Sequence, residues 1–188
     1  MLRREALFCI LIVLMSHVAA AETIRYVPDP KKLAQSQIID GKAIQYNGKA
    51  LAIRAEILQP EERARFIASR LRRPIDPFAV VRDEEQFFLT ILVQMQNRTP
   101  GRIYVNPSTS LLYRGDWFYS PLGYSMLYSY LETIVQDKDF MTRMLECIYD
   151  SPEILGPGQR ISKLLVFSDV PDAKRLRLVI PSVGLGVE

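Results

Sequence analysis

The chain reads as mainly β with helical insertions: a β-sandwich of about seven strands plus about three helices. Three observations predict this class. Stretches that alternate apolar and polar residues recur along the chain, separated by Gly, Pro and Asn turn signals. One of them, Phe87 to Gln96, is apolar on both faces over its first half, which suits the centre of a sheet covered on both sides. Helical periodicity is confined to two regions, 60–73 and 122–150, both lying between strands. With 188 residues, 48% hydrophobic and 24% charged, the chain is long enough for one packed domain, and this composition excludes disorder, collagen and a disulfide-stapled miniprotein.

Residues 1–21 have the form of a secretory signal peptide. Arg3 and Arg4 precede the apolar run Leu7 to Met15, and the small-residue stretch Val18-Ala19-Ala20-Ala21 follows. Cleavage is predicted after Ala21, with cleavage after Ala20 as the neighbouring alternative. The apolar run is far shorter than the roughly 20 residues a membrane span requires, so no stable membrane insertion is expected after processing. Cys9 sits inside that run, too close to the start to be a lipoprotein cleavage-site cysteine, and the Arg pair lacks the rest of a twin-arginine motif. The expected location is the periplasm or the exterior.

Residues 22–42 carry little pattern, 43–181 form the predicted domain and 182–188 a tail. Ala43 to Tyr46 and Lys49 to Leu58 flank Asn47-Gly48, a pair that supplies the positive φ angles of a type I′ hairpin turn. In the second arm Leu51, Ile53, Ala55 and Ile57 alternate with Ala52, Arg54 and Glu56, so one face is buried. Pro60 to Arg73 reads as a helix: Pro at its first position, Glu61 and Glu62 in the first turn, Arg70, Arg72 and Arg73 in the last, Pro74 beyond. Its apolar stripe is Ala64, Ile67, Ala68 and Leu71. The long strand Phe87 to Gln96 ends at the turn residues 97–101. Short strands follow at Arg102 to Asn106 and Leu111 to Tyr113, then a tight turn at Arg114-Gly115-Asp116. Two helices are predicted next, Leu122 to Gln136 and Asp139 to Asp150. Gly156-Pro157-Gly158 closes this insert, and strands at Arg160 to Phe167 and Lys174 to Ile180 complete the domain.

Loss of the leader would narrow the available chemistry, because it removes His17 and Cys9 and leaves no histidine and Cys147 alone. No Ser-His-Asp or Cys-His couple, imidazole switch, His-containing zinc site or intramolecular disulfide can then form. A lone cysteine in an oxidising compartment is either buried or paired with another chain, and free cysteine is among the most buried residue types. Removing Arg3, Arg4 and Glu5 leaves 22 Lys+Arg against 20 Asp+Glu, a balance that demands no nucleic-acid partner. No cofactor is expected.

The run Leu51 to Ile57, the Pro-Glu-Glu helix start, Ile91 to Asn97 and the ending Gly156-Pro157-Gly158, Leu164-Leu165-Val166-Phe167 and Leu176 to Ile180 together resemble the immunoglobulin-like β-sandwich domains of exported bacterial envelope proteins. The likeness spans residues 43–181 and rests on turns and apolar strands. It implies a non-catalytic envelope module and transfers no catalytic residues. Such domains often lie behind a lipid-anchored cysteine, a feature from which this chain departs.

Three features are candidates for function. Tyr113, Trp117, Phe118, Tyr119, Tyr124, Tyr128 and Tyr130 put seven of the eighteen aromatics into one short segment. Exposed, they would form a face for a protein partner or a stacking platform for a glycan; otherwise they fill the space between sheet and helices. Trp117, Tyr119 and Tyr130 fall off the helical stripe and, with Tyr113, are the candidate binding residues. Second, the arginines of the first helix, Arg63, Arg70 and Arg73 foremost, with Arg65 and Arg72, are candidates for contact with an anionic surface or else a solvated helix face. Third, Asp83, Glu84, Glu85, Asp116, Asp137, Asp139 and Glu146 are the acid–base groups left to the chain. A glycosidase needs two of them facing each other across a cleft, and no spacing in the sequence marks such a pair. Asp139 reads as a helix cap, and no calcium-loop pattern is present. Asn97-Arg98-Thr99 matches a glycosylation acceptor and Arg114-Gly115-Asp116 an adhesion tripeptide, although both are also ordinary turns. The expected role is binding another envelope protein as an accessory or assembly subunit, with a carbohydrate-binding or carboxylate-based glycan hydrolase module as the alternative.

Overall fold

A computed structural model describes residues 36–39, 43–73, 75–80, 88–132, 135–170, 176–180 and 184–185. The leader, with His17 and Cys9, lies outside them, as do Phe87 and the acidic run 83–85. The described strands are β1 (Ser36–Ile39), β2 (Ala43–Asn47), β3 (Leu51–Ile57), β4 (Phe88–Asn97), β5 (Ile103–Val105), β6 (Leu111–Arg114), β7 (Trp117–Tyr119), β8 (Glu153–Leu155), β9 (Arg160–Ser168), β10 (Leu176–Val179) and β11 (Gly184–Leu185). The helices are α1 (Pro60–Leu71), α2 (Pro77–Val80), α3 (Tyr124–Leu131) and α4 (Lys138–Arg143). The fold is therefore mainly β. A five-stranded antiparallel sheet runs β1-β2-β3-β4-β9, and two three-stranded sheets run β11-β5-β8 and β10-β6-β7. The strands outnumber those expected because β1, β7, β8 and β11, at four, three, three and two residues, are too short to show a repeating pattern.

The two-faced strand positions everything else. On β4, Phe88 and Leu92 turn toward one apolar cluster while Leu89, Ile91, Val93 and Met95 turn toward another. Its neighbour β9 does the same, sending Leu164 and Val166 one way and Leu165 and Phe167 the other. The first cluster is closed by helices: Ile67 and Leu71 from α1, Leu127 and Leu131 from α3, Phe140 and Met141 from α4. The second is closed by the short sheets, with Ile103, Val105 and Leu155 from one, and Leu112, Tyr119, Leu176 and Leu178 from the other.

Several local expectations change. The hairpin β2–β3 is present, but Asn47 pairs with Ala52, so the loop holds four residues closed by Gly48 N–H donating to the Leu51 carbonyl at 3.0 Å. Neither Asn47 nor Gly48 has a positive φ, so this is not a type I′ turn. Glycine is still required: a Cβ at Gly48 would lie 2.9 Å from the Leu51 carbonyl oxygen, a backbone atom that cannot swing aside. Helix α1 begins at Pro60 as expected, with Glu62 Oε2 accepting the Gln59 N–H at 3.1 Å, and stops at Leu71 where Arg72 turns left-handed at φ 55°. Its innermost stripe is Arg63, Ile67 and Leu71, so an arginine takes the core position expected for Ala64.

The predicted helix 139–150 ends early. After α4 a single 3-10 turn, Met144–Glu146, gives way to extended backbone, and Ile148 forms a parallel bridge with Leu164. The exposed edge of β9 wins these residues: Leu164 N–H donates to the Cys147 carbonyl at 2.7 Å and Tyr149 N–H to the Leu164 carbonyl at 2.9 Å. Further along the same edge, Leu122 N–H donates to the Val166 carbonyl at 2.7 Å and Arg70 to the Ser162 carbonyl at 3.2 Å. An edge that would otherwise invite strand addition is thus covered. The extended stretch also carries Tyr149 through to the second cluster, where its hydroxyl donates to the Val93 carbonyl at 3.0 Å.

Candidate functional site

The hairpin β6–β7 carries the most exposed aromatics described. Arg114 pairs with Trp117, leaving Gly115-Asp116 as a two-residue turn in which Gly115 takes φ +59°. A positive φ at the first turn residue only is the pattern of a type II′ turn, which follows the natural strand twist. The pleat then divides the side chains. Leu112 and Tyr119, with Leu178 of β10, form a row on the core side. Tyr113 and Phe118, with Arg177 of β10, form a row on the other side. The Arg177 guanidinium stands 4.4 Å from the Tyr113 ring centroid, and the Tyr113 and Phe118 rings lie 6.2 Å apart. Beside the turn, Trp117 is 76% exposed and Phe118 62% exposed.

The sequence-predicted aromatics therefore separate. Trp117 is at the tip and Tyr113 in the outer row, but Tyr119 is half-buried against the sheet core. Tyr130 is half-buried too, on the helix side, meeting the Phe88 ring edge-on at 5.9 Å. Tyr124 and Tyr128 pack beside it. Phe118, which nothing in the sequence ranks above its neighbours, is exposed because strand alternation turns it outward, on the face opposite to Trp117.

The arginines of α1 are tied down. Arg63 does not face an anionic surface: it is buried, and its Nη2 lies 2.8 Å from Asp76 Oδ2 while Nε donates to the same carboxylate. Asp76 also accepts the Phe78 N–H at 3.2 Å, and the Phe78 ring lies under the guanidinium. Arg70 packs over Phe66 and reaches β9, and Arg73 pairs with Asp137. Arg63 and Arg70 fasten α1 to the segment before α2 and to β9, and Arg73, just past the helix, fastens the chain to the cap of α4.

The acidic candidates have structural partners of their own. Asp137, not Asp139, caps α4, its Oδ1 accepting the Phe140 N–H at 3.0 Å. That hydrogen bond, and then the Arg73 guanidinium, hold its carboxyl below the usual aspartate range. Glu146 pairs with Arg143 at 3.3 Å, and Asp116 sits in the hairpin turn. Among the described residues no three His, Cys, Asp or Glu side chains cluster as a metal site. No described helix is long and apolar enough to cross a membrane. Cys147 is buried, and desolvation pushes its thiol up to about 11, so it is a poor nucleophile at neutral pH.

Asn97 is not an available glycosylation acceptor. It is fully buried, and Nδ2 donates to the carbonyls of Gly101, Leu155 and Gly156 at 2.7, 2.9 and 3.0 Å. Oδ1 accepts both the N–H and the hydroxyl of Thr99 at 2.8 Å. The tripeptide is a pin that joins two loops.

A second surface has no signal in the sequence at all. Toward the ends of β2, β3, β4 and β9 that lie beyond the helices, the register aligns Gln45, Arg54, Gln94 and Ser162 in one row, and Asn47, Ala52, Gln96 and Arg160 in the next. All of these but Asn47 and Ser162 line a hollow of about 180 Å³. No protein-family model, no curated protein and no solved structure matches the chain.

Proposed function

We propose that this chain is an exported, non-catalytic envelope protein, an accessory or assembly subunit that binds another envelope protein through the tip of the β6–β7 hairpin. The observation that carries the reading is the exposure of both Trp117 and Phe118, on opposite faces of the hairpin tip, while Leu112 and Tyr119 anchor the same hairpin in the core. Aromatic side chains presented on a rigid support make interface anchors, because each removes about 150–250 Å² from water at little conformational cost. The proposed architecture is an immunoglobulin-like sandwich over residues 43–181, with the two short sheets acting together as the second layer. Export follows from the leader at 1–21, and amino-terminal sequencing of the processed protein checks it.

Photo-crosslinking from a probe residue at position 117 in intact cells tests the function. The expected result is one stoichiometric protein adduct, with recovery falling at least about tenfold in untagged pull-downs with Trp117→Ala plus Phe118→Ala at unchanged melting temperature. Specific binding on a glycan array that disappears in Trp117→Ala would instead establish the carbohydrate-binding alternative.

A further inference from the structure

We propose that the hollow on the polar half of the five-stranded sheet binds an acidic peptide segment, one carboxylate entering between Arg54 and Arg160. This site is separate from the hairpin and does not depend on it. The helix-facing side of the sheet changes character along its length. Where α1, α3 and α4 cover it, Leu92 and Leu164 are apolar; past the helices the same face continues as Gln45, Arg54, Gln94, Gln96 and Arg160. Strands stand about 4.8 Å apart, so Arg54 and Arg160, two strands from each other, can both lean over the glutamines between them.

Two arginines on the floor outnumber the one carboxylate beside it, so the charge is net positive. Glu56, beside the floor, pairs with the Nη2 of Arg54 at 3.0 Å, a contact that engages only part of a guanidinium's five N–H donors. Arg160 spends one Nη2 on Gln96 Oε1 at 3.0 Å, and Arg98 reaches Asn47 from the margin at 2.9 Å. The half-buried Gln94 amide lies at the centre of the floor. Guanidiniums on two sides with an amide between them match a carboxylate flanked by peptide groups, whose N–H and C=O an amide pairs equally well. None of the described residues that line the hollow offers an aromatic ring on which a sugar would stack. The volume of about 180 Å³ suits a side chain rather than a large cofactor.

The test uses fluorescently labelled hexaglutamate with the processed protein, and hexaglutamine, oligogalacturonate and inorganic phosphate as competitors. Hexaglutamate is expected to bind at low salt and to weaken severalfold by about 0.3 M salt. Arg54→Gln plus Arg160→Gln should weaken it about tenfold or more. Gln94→Glu, which adds a negative charge without removing either arginine, should do the same, while Trp117→Ala should leave the affinity unchanged. Equal binding of hexaglutamine, retained binding in both hollow variants, or stronger competition by oligogalacturonate or phosphate than by unlabelled hexaglutamate would each overturn the proposal.

Discussion

Asn97 shows how much one side chain can hold. Its donors serve three carbonyls from two loops, and its acceptor serves Thr99 twice, all inside the protein. Buried carbonyls stripped of their donors carry a desolvation penalty, so Asn97→Ala is expected to cost about 3 kcal/mol in urea unfolding. Asn97→Asp keeps the acceptor half and loses the donor half; a cost as large as that of alanine would show that the carbonyls dominate, and a cost near zero in both would refute the role of the pin. The sequence showed a turn at 97–101 but not its mechanism, because the Leu155 and Gly156 carbonyls arrive from a distant loop. Arg63 was opaque for the opposite reason. A charged residue reads as a surface residue until its partner is known, and Asp76 lies thirteen positions away. Trp117 and Phe118 were legible only as part of an aromatic concentration; which of its members face solvent depends on a strand three residues long.

At the scale of elements, legibility follows length and self-sufficiency. Helix α1 and the strands β3, β4 and β9 carry enough residues to display their period, and they occur close to where the alternation and end signals put them. The segment 148–149 does not, because it is held along β9 by hydrogen bonds that no local pattern encodes. The hollow of Gln45, Arg54, Gln94 and Arg160 was equally invisible, since it exists only through the register of four strands. Helix α4 illustrates an element maintained from outside. Its six residues are too few to be stable alone, and it depends on the Asp137 cap, on Arg73 against that cap, and on Arg143 donating to the Leu71 carbonyl at 3.2 Å. Asp137 has a carboxyl pKa lowered by the Phe140 N–H and then by Arg73. A depressed pKa contributes stability above the unfolded aspartate value of about 3.9, and this is lost as pH falls through the folded value. Asp137→Asn keeps a capping oxygen but cannot titrate. Its urea midpoint is therefore expected to lie below that of the parent at pH 6, with the gap closing as the pH falls below the unfolded aspartate value of about 3.9. A gap of constant size across that range would mean that the carboxylate charge contributes nothing.

For the molecule as a whole, the decisive question is whether the helix-side and sheet-side clusters unfold together. Each is large enough to be described separately, and they touch different secondary structures. Yet β4 and β9 lie between them and contribute alternate residues to both, and Tyr149 ties the chain leaving α4 into the sheet-side cluster through Val93. Removing either layer would leave one face of both central strands in water, exposing Leu92 and Leu164 or Val93 and Phe167. That coupling predicts a single cooperative transition. Leu127→Ala, on the helix side, and Ile103→Ala, on the sheet side, are each fully buried positions where truncation costs about 2–5 kcal/mol. Both substitutions should lower the midpoint seen by far-ultraviolet and near-ultraviolet circular dichroism by the same amount for the two probes. Should Ile103→Ala melt the near-ultraviolet signal first and leave the helical signal in place, the short sheets would be a separable layer. The hairpin that displays Trp117 would then have its own stability, and binding through it would be lost under conditions where the helix-covered sheet persists.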